Sequence, residues 1–205
     1  MADAASLPAL PPALLIVGFH GYMENAEAQL DRLRSIPGTD RSVLVSIQGL
    51  HRFYRGRTQE IAASWMTRQD RELAIADNAN FVAAVVDEVV REWPTASALV
   101  FAGFSQGASM AVRSACWSPR PVSGVITLGG DVPPEIEPSL LARLPATLVG
   151  RGARDEWYSQ EKFGRDVTRL REAGVDVRPF SFDAGHEWTP AFSAEAGEFL
   201  LAHAN

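Results

Sequence analysis

ALVFAGFSQGASMAVRSA, residues 98–115, is the stretch on which the fold of this 205-residue chain turns. Its first five residues, Ala98–Ala102, are an apolar burst of strand length, and its last eight, Ala108–Ala115, are small and mostly apolar, as a packed helix requires. Between them stands Gly103-Phe104-Ser105-Gln106-Gly107, a G-x-S-x-G pentapeptide. A strand that passes directly into a helix through such a turn holds its serine in a strained, exposed position at the carboxyl end of a sheet. The flanking glycines let the backbone bend that sharply, and the start of the next helix offers a partial positive charge beside the hydroxyl. The plain alternative is a glycine-rich strand–helix junction with no chemistry.

Outward from this stretch, short apolar bursts alternate with longer segments of helical period. The bursts are Ala13–Phe19, Ser42–Ile47, Ala98–Ala102, Gly124–Leu128, Ala146–Val149 and Asp176–Phe182. The helical segments are Asn25–Ser35, Ala74–Glu92, Gln106–Cys116, Ser159–Ala173 and Ala191–His203, the second of them stopped by Pro94. Alternation of this kind predicts an α/β fold of three layers, a mostly parallel sheet of about six strands with helices on both faces. One domain over residues 13–205, behind a flexible lead-in over 1–12 and with no lid domain, is the expected organisation. Gly49–Leu73, rich in Arg, and Gly129–Pro145, rich in Pro, read as long irregular loops of the kind that carry function.

Composition excludes several classes of role. The formal net charge is −6, which leaves no electrostatic footprint for a nucleic-acid backbone. The run Ala13–Phe19 is too short to cross a bilayer, and no charged leader precedes it, so a cytoplasmic protein without stable membrane insertion is expected. The single cysteine, Cys116, allows no internal disulfide and no cysteine-rich metal site. No cofactor and no metal are expected, and the sequence leaves room for a homodimer.

A serine hydroxyl is a weak nucleophile and needs a base within reach. Of the four histidines, His186 follows the last predicted strand, where a loop can lower its imidazole onto a serine several strands away. His203 lies near the carboxyl end, His51 sits in the Arg-rich stretch, and His20 ends the first strand as a brace for the turn that follows. The imidazolium formed during attack needs a carboxylate to hold it. Asp155, after the strand Ala146–Val149, gives the chain order serine, acid, histidine; Asp131 is the rival, and Asp183 is read as a residue that stabilises its loop. A developing oxyanion needs two donors, which the backbone N–H groups of Gln106, at a helix start, and Tyr22, after the first strand, are placed to provide.

In order along the chain, Phe19-His20-Gly21, Gly103-Phe104-Ser105-Gln106-Gly107, Gly150-Arg151-Gly152 with Asp155, and Gly185-His186-Glu187-Trp188 resemble the small carboxylesterase, lysophospholipase and acyl-protein thioesterase family of α/β-hydrolases. The resemblance spans nearly the whole chain. It implies oxyanion donors at Tyr22 and Gln106, and a small-molecule ester or thioester as substrate. Two departures stand out: Tyr22-Met23-Glu24-Asn25 replaces the family's usual glycine–acid sequence, and Arg52, Arg55, Arg57 and Arg68 make the stretch around Ser64-Trp65-Met66 unusually basic. Phe53, Tyr54, Trp65, Met66 and Trp188 are the candidates for an apolar acyl wall, and arginines among Arg52–Arg57 for binding a carboxylate or phosphate. Hydrolysis of short or medium acyl esters through a Ser105 acyl-enzyme is the expected activity. The competing expectations are a catalytically silent binding protein on the same fold, and a lysophospholipase, peptidase or dienelactone-type hydrolase using the same three residues.

Overall fold

Strands that are apolar on both sides need cover on both faces, and the computed structural model, which describes residues 14–93 and 98–203, supplies it. The lead-in expected over 1–12 and the stop at Pro94 lie outside the described residues. A main sheet of six strands runs in the order β2 (Val43–Ile47), β1 (Leu15–Phe19), β5 (Leu99–Phe104), β6 (Gly124–Leu128), β7 (Thr147–Gly152) and β8 (Val177–Phe182). Every pairing within it is parallel. Among the described residues six helices accompany it: α1 (Ala26–Arg34), α2 (Arg71–Glu92), α3 (Gln106–Trp117), α4 (Pro138–Leu141), α5 (Gln160–Glu172) and α6 (Pro190–His203).

Alternate residues of each strand point to opposite faces, and the two faces build two cores. On one, Val17, Phe19, Phe101, Val125 and Val149 pack against Val82 and Val86 of α2, Met110 and Ala111 of α3, and Val167 and Leu170 of α5. On the other, Ile16, Val100, Ile126 and Leu148 meet Leu33 of α1 and Phe192, Ala196 and Phe199 of α6. The three layers are those the hydrophobic bursts predict.

The stretch 49–73 departs from its reading as an irregular loop. It contains an antiparallel hairpin of β3 (His51–Tyr54) and β4 (Ile61–Ser64), and α2 starts within it at Arg71. The hairpin is tied to the turn after β1: Met23 N–H donates to the Ala63 carbonyl at 3.1 Å, and Ala63 N–H to the Glu24 carbonyl at 2.8 Å. The Pro-rich stretch 129–145 holds the four-residue helix α4. β5 runs on through Gly103 and Phe104, because Gly103 pairs with both Phe19 and Thr127.

The connections from β1 run outward to β2 on one side, while β5 and its successors extend the sheet on the other. This switch point, at the carboxyl ends of β1 and β5, is where an open parallel sheet forms its crevice.

Candidate active site

Ser105 occupies the one-residue junction between β5 and α3 with φ 54° and ψ −119°. A non-glycine residue at such a φ costs of order 1–3 kcal/mol, so the surroundings must impose it. They do so through close packing: a Cβ on Gly103 would strike the Gly107 carbonyl, and one on Gly107 would strike the Phe19 carbonyl. The Ser105 N–H is anchored to the Leu128 carbonyl at 2.8 Å. With main chain on three sides fixed, the side chain of Ser105 has one way to point.

It points at His186. Ser105 Oγ and His186 Nε2 are 2.9 Å apart, and His186 Nδ1 lies 2.7 Å from Asp155 Oδ2. The Asp155 carboxylate is almost wholly buried while the imidazole keeps partial contact with solvent. Its other oxygen, Oδ1, accepts the N–H groups of Trp157 at 2.8 Å and Tyr158 at 2.9 Å, which locks the carboxylate in place. The His186 ring rests against Phe104, 5.0 Å between centroids. Gly129 leaves room for this line of residues: it has φ +66°, and a Cβ there would stand 3.0 Å from His186 Cε1 and 3.3 Å from Asp155 Oδ2. A hydroxyl, imidazole and carboxylate in this order can move a proton off the hydroxyl and hold the resulting imidazolium.

Asp131, the rival acid, pairs with Arg165 at 3.3 Å and approaches Lys162 at 3.9 Å, with no bond to His186. Asp183 pairs at the surface with Arg154. His20 is fully buried; its Nδ1 donates to the Gly21 carbonyl at 2.7 Å and its Nε2 accepts the Gly49 N–H at 3.0 Å. Burial lowers its pKa against the opposing pull of the Gly21 carbonyl, which suits a neutral ring bracing two turns.

The turn after β1 is held by a carboxylate that the sequence reading passed over. Glu24 Oε2 accepts the Gly21 N–H at 2.7 Å, and both carboxylate oxygens accept from the Arg32 guanidinium at 2.5–2.6 Å. Burial works against a charged Glu24, but Arg32 and the Gly21 N–H outweigh it and hold the carboxyl below its usual range. Gly21, Met23 and Glu24 thus spend their N–H groups within the protein. The N–H groups of Tyr22 and Gln106 make no hydrogen bond among the described residues.

An open cavity of about 700 Å³ adjoins Ser105. Of the five aromatic and apolar residues expected to wall it, only Met66 does so. Trp65 is buried beneath the site, its Nε1–H donating to the His20 carbonyl at 2.8 Å and its ring packed edge-on to Phe19. Trp188 packs on Phe192 at the other face of the sheet and donates to Ser193 Oγ at 2.9 Å. Phe53, against Tyr22, and Tyr54 belong to the hairpin and do not line the cavity. Nor do Arg52, Arg55 and Arg57; the cations that line it are Arg71, Arg113, Lys162, Arg165 and Arg169. The last three recur at helical spacing along α5, a signal that was present in the sequence. Trp157, 76% exposed, stands at the cavity as well. Among the described residues no group of His, Cys, Asp and Glu is arranged to hold a metal ion, and no helix is long and apolar enough to cross a membrane.

Residues 7–155, which include the Ser105 turn and end on Asp155, match the phospholipase/carboxylesterase family. The chain belongs to that family. Solved structures agree with the placement at the level of fold. A carboxylesterase from Mesorhizobium loti superposes with a TM-score of 0.77 at 22% identity, over 92% of this chain and 88% of that one. Acyl-protein thioesterase 2 of Zea mays gives 0.72 at 21% identity, over 98% and 97%. SOBER1 of Arabidopsis thaliana gives 0.73 at 17%, over 92% and 98%. Comparison with curated proteins finds no significant sequence match. Like its family, the chain is an α/β hydrolase.

Proposed function

We propose that the chain is a serine esterase in which Ser105 is the nucleophile, His186 the general base and Asp155 the residue that orients His186. The observation that carries this reading is the hydrogen-bonded line from Ser105 Oγ through His186 to Asp155 Oδ2, with spacings of 2.9 and 2.7 Å. In the first half-reaction Oγ bonds to the ester carbonyl carbon while its proton passes to His186 Nε2. The tetrahedral adduct then expels the alcohol, which leaves with that proton, and an acyl-enzyme remains. Water, deprotonated by the same nitrogen, attacks the acyl carbon; the bond between that carbon and Ser105 Oγ breaks, Oγ takes the proton back from His186 Nε2, and the carboxylic acid departs.

The N–H groups of Tyr22 and Gln106 are the proposed oxyanion donors, since each is left over after its neighbours are paired. Removing such a donor in other enzymes costs about 10²–10³ in kcat. Small-molecule carboxylic esters and thioesters are the substrate class, a reading supported by membership of the phospholipase/carboxylesterase family and by the carboxylesterase and acyl-protein thioesterase among the structural relatives.

Ser105→Ala tests the proposal. It is expected to abolish p-nitrophenyl ester turnover and labelling by a fluorophosphonate probe, while circular dichroism and thermal unfolding stay close to the parent. Retained turnover in the folded variant overturns Ser105 as the nucleophile, and a parent protein that neither turns over the ester nor takes label on Ser105 leaves the binding-protein reading in its place.

A further inference from the structure

The chain as a whole is acidic, with a net charge of −6, yet the cavity beside Ser105 is lined by five cationic side chains against two carboxylates, Asp131 and Asp166. Most of the cations are committed. Arg165 bonds Asp131 and Asp166, both at 3.3 Å from Nη2. Lys162 donates to the Trp157 carbonyl at 2.8 Å. Arg169 spans four main-chain carbonyls, those of Val132, Pro133, Pro134 and Ile136, and so staples the Pro-rich loop to α5.

Two guanidinium groups remain underused. Arg113 on α3 is fully buried. Its Nε donates to Glu135 Oε1 at 2.9 Å and Nη2 reaches the same oxygen, but Nη1 finds only the thioether of Met66, at 3.7 Å, and sulfur is a weak acceptor. Arg71, the first residue of α2, lines the cavity and makes no hydrogen bond or ion pair among the described residues. The two guanidinium groups repel: burial depresses the pKa of Arg113, Glu135 counteracts it, and the charge on Arg71 adds to the depression. Arg71, open to the cavity, and Arg113, buried in its wall with Nη1 on a thioether alone, share one carboxylate, Glu135, whose pKa both charges lower; two cations to one carboxylate leave a positive excess that an anion would satisfy.

We infer that Arg71 and Arg113 form an anion subsite of the cavity, so that the preferred esters carry a carboxylate or phosphate in addition to the ester group. This inference rests on the assignment of Ser105 as nucleophile. It places substrate recognition in charge-assisted hydrogen bonds, as the sequence suggested for Arg52–Arg57, but from different arginines, none of which lies on the hairpin. Arg71 is the specificity residue open to mutation, because it is exposed and has no hydrogen bond or close ion pair to lose among the described residues.

Two pairs of esters test the inference and separate its two anions. Monoethyl esters of the succinate-to-adipate series against ethyl hexanoate read a carboxylate on the acyl side, and a hexanoyl ester of glycerol 3-phosphate against the same ester of glycerol reads a phosphate on the alcohol side. With product acid followed by pH-stat, at least one anionic ester is expected to exceed its neutral counterpart by about tenfold or more in kcat/KM, the value of one charge-assisted hydrogen bond. In Arg71→Gln that preference falls about tenfold, whereas Arg57→Gln, on the hairpin and away from the cavity lining, keeps it. Added salt erodes the preference in the parent. Neutral and anionic esters turned over equally, or a preference that survives Arg71→Gln, overturn the subsite and leave the esterase standing. Absence of all ester hydrolysis and of probe labelling on Ser105 takes down both.

Discussion

Asp155 and Asp131 are both aspartates beyond the carboxyl ends of neighbouring strands, and what separates them is the company each keeps. Asp155 gives one oxygen to two backbone N–H groups and the other to His186, so it is held rigidly and aimed at the ring. Asp131 is spent on the cations of α5. Asp155→Asn is therefore expected to lower kcat by about 10³-fold or more, since an amide no longer holds the tautomer and charge of the imidazole, while Asp131→Asn changes kcat by less than about tenfold. Steady-state kinetics of the two variants on one neutral ester decide the matter, and a larger loss in Asp131→Asn would reverse the assignment. At this scale the sequence was informative wherever backbone geometry selects the residue type. Gly103 and Gly107 are demanded by close approach, and the serine between them stands out for that reason. Glu24 was missed because its role depends on Arg32 folding back from α1 onto the turn, a contact with no local signature.

Among the elements, the hairpin shows where pattern reading loses its grip. His51-Arg52-Phe53-Tyr54 and Ile61-Ala62-Ala63-Ser64 are four residues each, too short and too mixed in polarity for periodicity to register. Once formed, the hairpin is bolted to α3 by the side chain of Gln106, whose Oε1 accepts the Trp65 N–H at 2.9 Å and whose Nε2 donates to the Met66 carbonyl at 2.9 Å. Trp65, which the sequence placed on the acyl wall, is drawn inward by the same connection and by its bond to the His20 carbonyl. Gln106→Ala strands these buried backbone groups and is expected to cost about 1–3 kcal/mol, measured as a lower urea midpoint with an unchanged slope. The long strands and helices were legible because a buried parallel sheet needs unbroken apolar bursts, with little freedom for another reading.

For the molecule as a whole, the cavity is the feature that only the folded chain reveals. Its cations come from α2, α3 and α5, while the arginines that cluster in sequence, Arg52, Arg55 and Arg57, lie on the hairpin outside it. Proximity along the chain was a poor guide to proximity in space here, because crossover helices bring distant residues to one end of the sheet. The core itself offers a global reporter in Cys116, which is fully buried and whose thiol is pushed up by burial to about 11. Thiol reagents at pH 8 are expected to leave the native protein unmodified and to react fully in urea, with a midpoint that coincides with loss of circular dichroism; stoichiometric native labelling within minutes would show that this core opens locally.

The sheet is completed by β8, the last strand in chain order, and His186 sits on the loop just beyond it. Ser105 precedes His186 by 81 residues, an interval of roughly 4–16 s at synthesis rates of about 5–20 residues per second. Under the proposed assignment, Ser105 is therefore synthesised well before the histidine that would activate it, and the nascent hydroxyl has no base beside it until the final strand docks against β7.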